Sequence, residues 1–264
     1  MKSGVIDLSI LQIGFAMLLL CMAGLLSVFM QLGLERRIVW GALRMVLQLS
    51  AAGLLLKVVF ELREPVAVAG LVLMMTLIAG HAASQRSRFR YPRMFLDAFI
   101  AMTLGSWSVG IFLLLVVVQA TPWWLPQYAI PLLGMILGNS LDGVALGLDR
   151  MTDTLRRDRH LVEMKLSLGA TRWEAVRSIV QEAVRTGITP VLNSMTVIGL
   201  VSIPGMMTGQ ILAGADPVVA VKYQIVIMVV IASAVSIGTM SVCFLGYRRI
   251  FNKFHQFNPR MLQP

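Results

Sequence analysis

The stretch VSIPGMMTGQILAGADP, Val201 to Pro217, breaks a long apolar run with a Pro-Gly pair and follows it with two methionines, a threonine and a glutamine. Pro204 has no N–H and its ring disrupts the preceding turn, while Gly205 opens conformations that other residues resist. Backbone groups freed inside a bilayer are tolerated only where protein or a watery cavity satisfies them. If the flanking runs cross a membrane, the broken segment belongs inside a bundle or at a subunit interface. Discontinuous helices of this kind form ion and substrate sites in many transporters.

The flanking sequence does ask for a membrane. The chain is 57% hydrophobic and 14% charged, with a mean hydropathy of +0.79, against about 25% charged residues in an ordinary soluble domain. Apolar runs of spanning length recur along it. They predict an all-α, polytopic transmembrane helical bundle of about seven spans, at 8–30, 38–60, 66–82, 95–119, 128–148, 188–213 and 217–246. The third is short and the sixth contains the break.

A net charge of +10 raises the question of nucleic acid, and its placement answers it. Of the 23 Lys and Arg, 18 fall in segments that seven crossings put on one side: Arg36 and Arg37, Arg86 to Arg93, Arg150 to Arg185, and Arg248 to Arg260. The other side holds Lys2, Arg63 and Lys222, while Arg44 and Lys57 lie in the second span. This is the positive-inside pattern, and it predicts an N-terminus outside and a C-terminus in the cytoplasm. No basic stripe is left over for nucleic acid. The first span lacks a small-x-small cleavage site and is expected to be retained. Cys21 and Cys243 lie inside spans, and His81, His160 and His255 are far apart, so a structural zinc site is not expected.

The outer loops are short. The sizeable soluble part is a cytoplasmic hairpin, 149–187, which reads as two helices. The first carries Met151, Leu155, Val162 and Leu166 at helical spacing and ends near Gly169. The second opens on TRWE, where Thr171 and Glu174 have the spacing of a capping box, and Trp173, Val176, Ile179 and Ala183 continue on one face. Amphipathicity alone leaves two roles open: a hairpin packed on its own bundle, or a docking element for a partner groove.

Within this hairpin VEMKLSLGATRWEAVRSIV, Val162 to Val180, has the arrangement E-x5-G-A and resembles the EAA loop of ABC transporter permeases, although Glu182 stands where many such loops have a proline. GLVSIPGMMTGQILAGADPVVAVKYQIVI (199–227), PLLGMILGNS (131–140) and KLSLGAT (165–171) are similar to the FetB-type iron-export permeases, a small ABC permease family with plant aluminium-tolerance relatives. The resemblance covers most of the chain, from about Ile38 to Tyr247. It implies an ABC exporter subunit for iron or another metal in the inner (cytoplasmic) membrane, acting as a homodimer with a separate P-loop ATPase. Glu163, Leu168, Gly169, Ala170, Thr171, Trp173 and Ala175 would couple to that ATPase.

The motifs that are missing agree with a division of labour. No G-x4-G-K-[ST] loop exists to cradle phosphates, and no catalytic constellation appears, so an enzyme is not expected. No cofactor is expected on this chain; ATP and Mg belong to the partner subunit. The rival classes are a stand-alone channel or ion-coupled carrier, and an ABC permease for a non-metal substrate.

Polar residues inside spans are functional candidates by default. Arg44 and Asp142 each lie about six residues from the cytoplasmic end of their spans, roughly 9 Å deep, and are expected to approach each other. GMILG (Gly134, Gly138) and GVALG (Gly143, Gly147) have the spacing that lets helices pack closely. Asn139 and Asn193 must find partners at depth, either lining a pathway or bonding between helices. Pro204, Gly205, Met206, Met207, Thr208 and Gln210 are expected to line the pathway or form its gate. GMMTG is equally a small-x3-small packing pattern, and thioethers suit soft Cu(I) better than iron, so the methionines name no metal.

Overall fold

A computed structural model describes residues 9–62, 64–251 and 256 of the chain. Lys2, Arg63, Lys253, His255 and Arg260 lie outside the described residues. The fold is an all-α polytopic transmembrane bundle, with no strand among the described residues. We number the helices α1 (Ile10–Phe29), α2 (Glu35–Leu62), α3 (Pro65–Arg86), α4 (Met94–Val118), α5 (Pro126–Arg157), α6 (Arg159–Ser167), α7 (Arg172–Val197), α8 (Gly205–Leu212) and α9 (Pro217–Ile250). Six of them, α1 to α5 and α9, are long and apolar enough to cross a membrane.

Local chemistry sets the helix ends. Ser9 and Gln12 form a capping box at the start of α1, and Asp216 accepts hydrogen bonds from the N–H groups of Val218 and Val219 at the start of α9. Prolines open α3, α5 and α9, where their missing N–H costs nothing. Helix α4 contains two π-helical stretches, Thr103–Trp107 and Leu113–Val118. The first brings Gly105 against the backbone of Ala234 and Gly238 in α9.

Helices α5 and α9 form the centre of the bundle, with α3, α4 and α7 packed around them. Helices α1 and α2 lie at the periphery, paired with each other, their large apolar side chains almost all exposed. In lipid such faces need no protein cover, because the tails are as apolar as leucine. The tight contacts come instead from small residues. Gly143 and Gly147 of α5 lie against Gly187 of α7 and Thr239 of α9, so that three helices cross within backbone reach. The GVALG motif is thus a packing device. GMILG is not one within the chain: Gly138 faces open space, and Gly134 meets only the end of Met75.

The stretch expected as a sixth span, 188–213, is not one continuous helix. Helix α7 starts at the tip of the hairpin, runs unbroken through Gly187 and ends at Val197. The chain is then irregular from Ile198 to Pro204, with Gly199 at φ +83° and a short parallel bridge between Ile198 and Ser202. The break thus begins at Ile198, six residues before the Pro-Gly pair, and the left-handed backbone of Gly199 completes the helix end. The first hairpin helix is likewise divided. Helix α5 continues from the bundle to Arg157, and α6 starts afresh at Arg159.

Candidate functional site

A cleft of about 410 Å³ opens where α7 breaks. Its walls come from four elements: Met135, Asn139 and Asp142 of α5; Pro190, Val191 and Ser194 of α7; Pro204 to Met206 at the break; and Gln224, Met228 and Ile231 of α9. Helix α8 packs on α9, which sets the broken segment over the cleft. The small-residue crossing at Gly143 and Gly187 closes one end.

The polar groups in this cleft include oxygens that can accept. Asn139 donates its Nδ2 hydrogen to the carbonyl of Met135 at 2.8 Å, one turn back, leaving Oδ1 free. Ser194 donates to the carbonyl of Pro190 at 3.0 Å, which keeps its lone pairs available. Gln224 is 93% buried, its relative exposure being 7%, and its Oε1 has no hydrogen-bond partner. Leaving a buried amide unmatched costs about 1–3 kcal/mol, so this glutamine is held against a stability penalty. No Lys or Arg lines the cleft.

Asp142 does not pair with Arg44. Its partner is Arg86 of α3, because α3 packs along α5 far more closely than α2 does. Arg44 is exposed on α2, and no ion pair of Arg44 occurs among the described residues. Both members of the Arg86–Asp142 pair remain more than half exposed.

The other residues expected along a pathway divide. Pro204, Gly205, Met206 and Asn139 line the cleft. Met207, Thr208 and Gln210 sit on α8 beside it without lining it, and Thr208 donates both its N–H and its hydroxyl to the carbonyl of Pro204, at 3.0 and 3.1 Å. The Gln210 Oε1, like that of Gln224, is one of seven buried side-chain oxygens without a protein partner among the described residues. Asn193 is exposed on α7 and does not line the cleft. Sequence reasoning passed over Gln224, Ser194 and Ser202. Gln224 carried a signal: an amide within an apolar helix, inside 199–227, one of the stretches that carry the resemblance.

At the basic end of the bundle the hairpin makes a tight turn, with Gly169 at φ +91°. The capping box forms: the Glu174 N–H donates to Thr171 Oγ1 at 3.3 Å, and the Thr171 N–H donates to Glu174 Oε2 at 2.8 Å. Glu163, Gly169 and Thr171 are exposed, Ala170 is half-buried, and Leu168 is 80% exposed. Trp173 packs against Tyr247 of α9 with ring centres 5.2 Å apart and planes tilted by 49°, and Ala175 is buried at 1% exposure against the bundle, out of reach of any partner. Helix α6 buries Val162 and turns Leu161, Met164 and Leu168 outward at i, i+3, i+7 spacing, one apolar stripe on its free face.

Two hydrogen bonds from Thr171, the backbone one first, lower the Glu174 pKa from its ordinary value. A carboxylate depressed in this way stabilises the fold above its unfolded pKa and loses that contribution as pH falls through the folded one. Thr171→Ala is expected to cost about 1 kcal/mol at neutral pH and less once acid has protonated Glu174. Hydrogen exchange of the first-turn amides of α7 checks this.

Fold and site together define a polytopic helical membrane protein with a polar cleft beside a discontinuous helix. Residues 10–251 match the family described as Uncharacterised protein family (UPF0014), and the chain belongs to that family. It is 37% identical over 262 residues to a UPF0014 membrane protein of Synechocystis sp., covering 97% of this chain and 99% of that one. It is 34% identical to the Probable iron export permease protein FetB of Escherichia coli, over 93% of each chain. It is 33% identical to Protein ALUMINUM SENSITIVE 3 of Arabidopsis thaliana, over 91% of this chain and 87% of that one. No solved structure matches.

Proposed function

We propose that this chain is the membrane subunit of an ABC exporter that carries iron or another metal out of the cytoplasm. It works as a homodimer in the inner membrane with its N-terminus outside, and a separate P-loop ATPase supplies the energy. The similarity to the E. coli protein named a probable iron export permease supports the class and the cargo.

The observation that carries the coupling role is the bare apolar stripe Leu161, Met164, Leu168. It lies at the basic end, on the outer face of a helix whose inner face packs on the bundle through Val162 and Leu166, followed by a glycine turn and a capping box. A stripe of this size on a short exposed helix suits insertion into a groove of a partner. Glu163 and Thr171 flank it, while Trp173 anchors the root of α7 to α9. The cleft at the break in α7 is the cargo path, opened and closed by motion of α7 and α8.

Purification of the tagged chain with the products of its neighbouring genes tests this. A stoichiometric P-loop ATPase should accompany the wild type, and Leu168→Asp should reduce its recovery at least tenfold while leaving the melting temperature unchanged. Leu168 is a better probe than Gly169, where any side chain strains the positive-φ backbone. A chain that transports metal and purifies alone would return the channel or carrier reading.

A further inference from the structure

We infer that the cleft binds a partly hydrated divalent cation through neutral oxygens, with Gln224 as the selective ligand and Asp142 as a charge shared with Arg86. The inference rests on the reading of the cleft as a cargo path, and it assigns the ligands that path presents.

Three observations carry it. First, the cleft presents several oxygens able to accept: the unpartnered Oε1 of Gln224, the Oδ1 of Asn139, and the hydroxyl of Ser194, whose own hydrogen is committed to Pro190. Amide and hydroxyl oxygens with water suit hard divalent cations. Secondly, an anionic cargo would meet no unpaired positive charge, since no Lys or Arg lines the cleft and Arg86 is taken up by Asp142. Thirdly, Gln224 is buried without a partner although a leucine would fit an apolar helix there at lower cost. Of the seven buried side-chain oxygens without a protein partner among the described residues, the Gln224 Oε1 is the one whose residue lines the cleft, where a bound cation would supply the partner that buried polar groups ordinarily have.

The weakness of such a site is part of its use. No group of three or more His, Cys, Asp or Glu able to hold a metal occurs among the described residues, so nothing in the bundle chelates strongly. A transit site has to bind well enough to admit the ion and loosely enough to release it. The Arg86–Asp142 pair sets that balance. Both side chains are largely exposed and the pair is exchangeable; an arriving cation competes with Arg86 for the carboxylate, and Arg86 takes it back when the ion leaves.

The test uses Mn2+ as the probe, with the full chain in nanodiscs and the free hexaaqua ion followed by electron paramagnetic resonance. The wild type should bind one Mn2+ per chain. Gln224→Leu and Asp142→Asn should each weaken binding at least tenfold. Arg86→Gln should tighten it several-fold, because it releases Asp142. Without metal, Gln224→Leu should also melt on the order of 2–4 °C higher, since it removes an unmatched buried amide. Wild-type binding by Gln224→Leu, or no Mn2+ uptake by the wild type, overturns the inference. An Arg86→Gln variant with unchanged affinity removes Asp142 from the ligands and overturns it in that form. Asp142→Asn, at an exposed position, keeps the test open if Gln224→Leu does not fold. A chain that co-purifies with an ATPase but binds no Mn2+ sinks the cation site alone; one that binds Mn2+ but recruits no ATPase sinks the transporter assignment alone.

Discussion

Arg249→Ala is expected to destabilise the protein by about 3–5 kcal/mol, enough to lower its melting temperature on the order of 10 °C. Arg249 stands in the last turn of α9 and Asp97 in the first turn of α4, so the two helices bring opposite dipole ends together with charges that suit them. The pair is bidentate: Nε donates to Oδ2 at 2.7 Å and Nη2 to Oδ1 at 2.6 Å. Asp97 is fully buried, whereas about a third of the Arg249 side chain is exposed. That asymmetry orders the variants. Without Arg249, Asp97 is a carboxylate with no water and no counter-charge. Without Asp97, Arg249 can swing its guanidinium outward, so Asp97→Ala should cost clearly less. The double variant Asp97→Leu/Arg249→Met should recover most of the loss, because a buried ion pair is worth little over well-packed apolar residues. Equal melting temperatures for the two single variants would contradict this account. The same buried pocket holds Tyr91, whose phenol is pushed well above its ordinary pKa first by burial and then by the charge of Asp97.

Gly187→Leu is expected to abolish the folded state, and Gly187→Ala to cost about 1–3 kcal/mol. A Cβ at Gly187 would lie 2.5 Å from the carbonyl oxygen of Gly143 and 2.6 Å from the Thr239 methyl. A backbone oxygen cannot rotate away, so α5 and α7 must separate. Gly105→Ala should behave in the same way, since its Cβ would meet the carbonyl of Ala234 at 2.7 Å and the nitrogen of Gly238 at 2.9 Å. Gly138→Ala is the control. Its Cβ would meet nothing within 4 Å, and alanine is the better helix former by about 0.5–1 kcal/mol, so this variant should be neutral or slightly stabilised. Folded yield and melting temperature of the four variants, by size-exclusion chromatography in detergent, decide the matter.

Much of the bundle can be read from the chain because membrane spans announce themselves by length and apolarity. Six of the expected spans are continuous helices at nearly the expected places, and Thr171 and Glu174 form the cap their spacing predicts. What resisted reading was the set of contacts between distant segments. The depth of Arg44 and Asp142 made a pair plausible, but which helices are neighbours is decided by packing, and Arg86 reaches Asp142 first. In the same way GMILG and GVALG look alike in sequence, and only the crossing with Gly187 makes one of them a contact. The α6 stripe was hidden because Val162 and Leu166 share its short helix, and periodicity over so few residues does not say which face is bare. Gln224 was passed over as an amide in an apolar run; the missing partner of its Oε1 is visible only in three dimensions.

Helix α7 runs without interruption from Thr171 at the hairpin tip to Val197 at the cleft. Mechanically it is a lever. Its fulcrum is Gly187, pinned between Gly143 and Thr239, with an arm of roughly 24 Å toward the tip and roughly 15 Å toward the cleft at about 1.5 Å per residue. Were the Trp173–Tyr247 contact and the buried face of the long arm to slide, a sideways push of about 3 Å at the tip would swing the cleft end about 2 Å the opposite way, by the ratio of the arms. Pro190 sits three residues beyond the fulcrum, where the rod lacks one internal hydrogen bond. The shorter arm can thus bend where the longer one stays stiff, and force applied outside the bilayer arrives at the broken segment as a change in its angle.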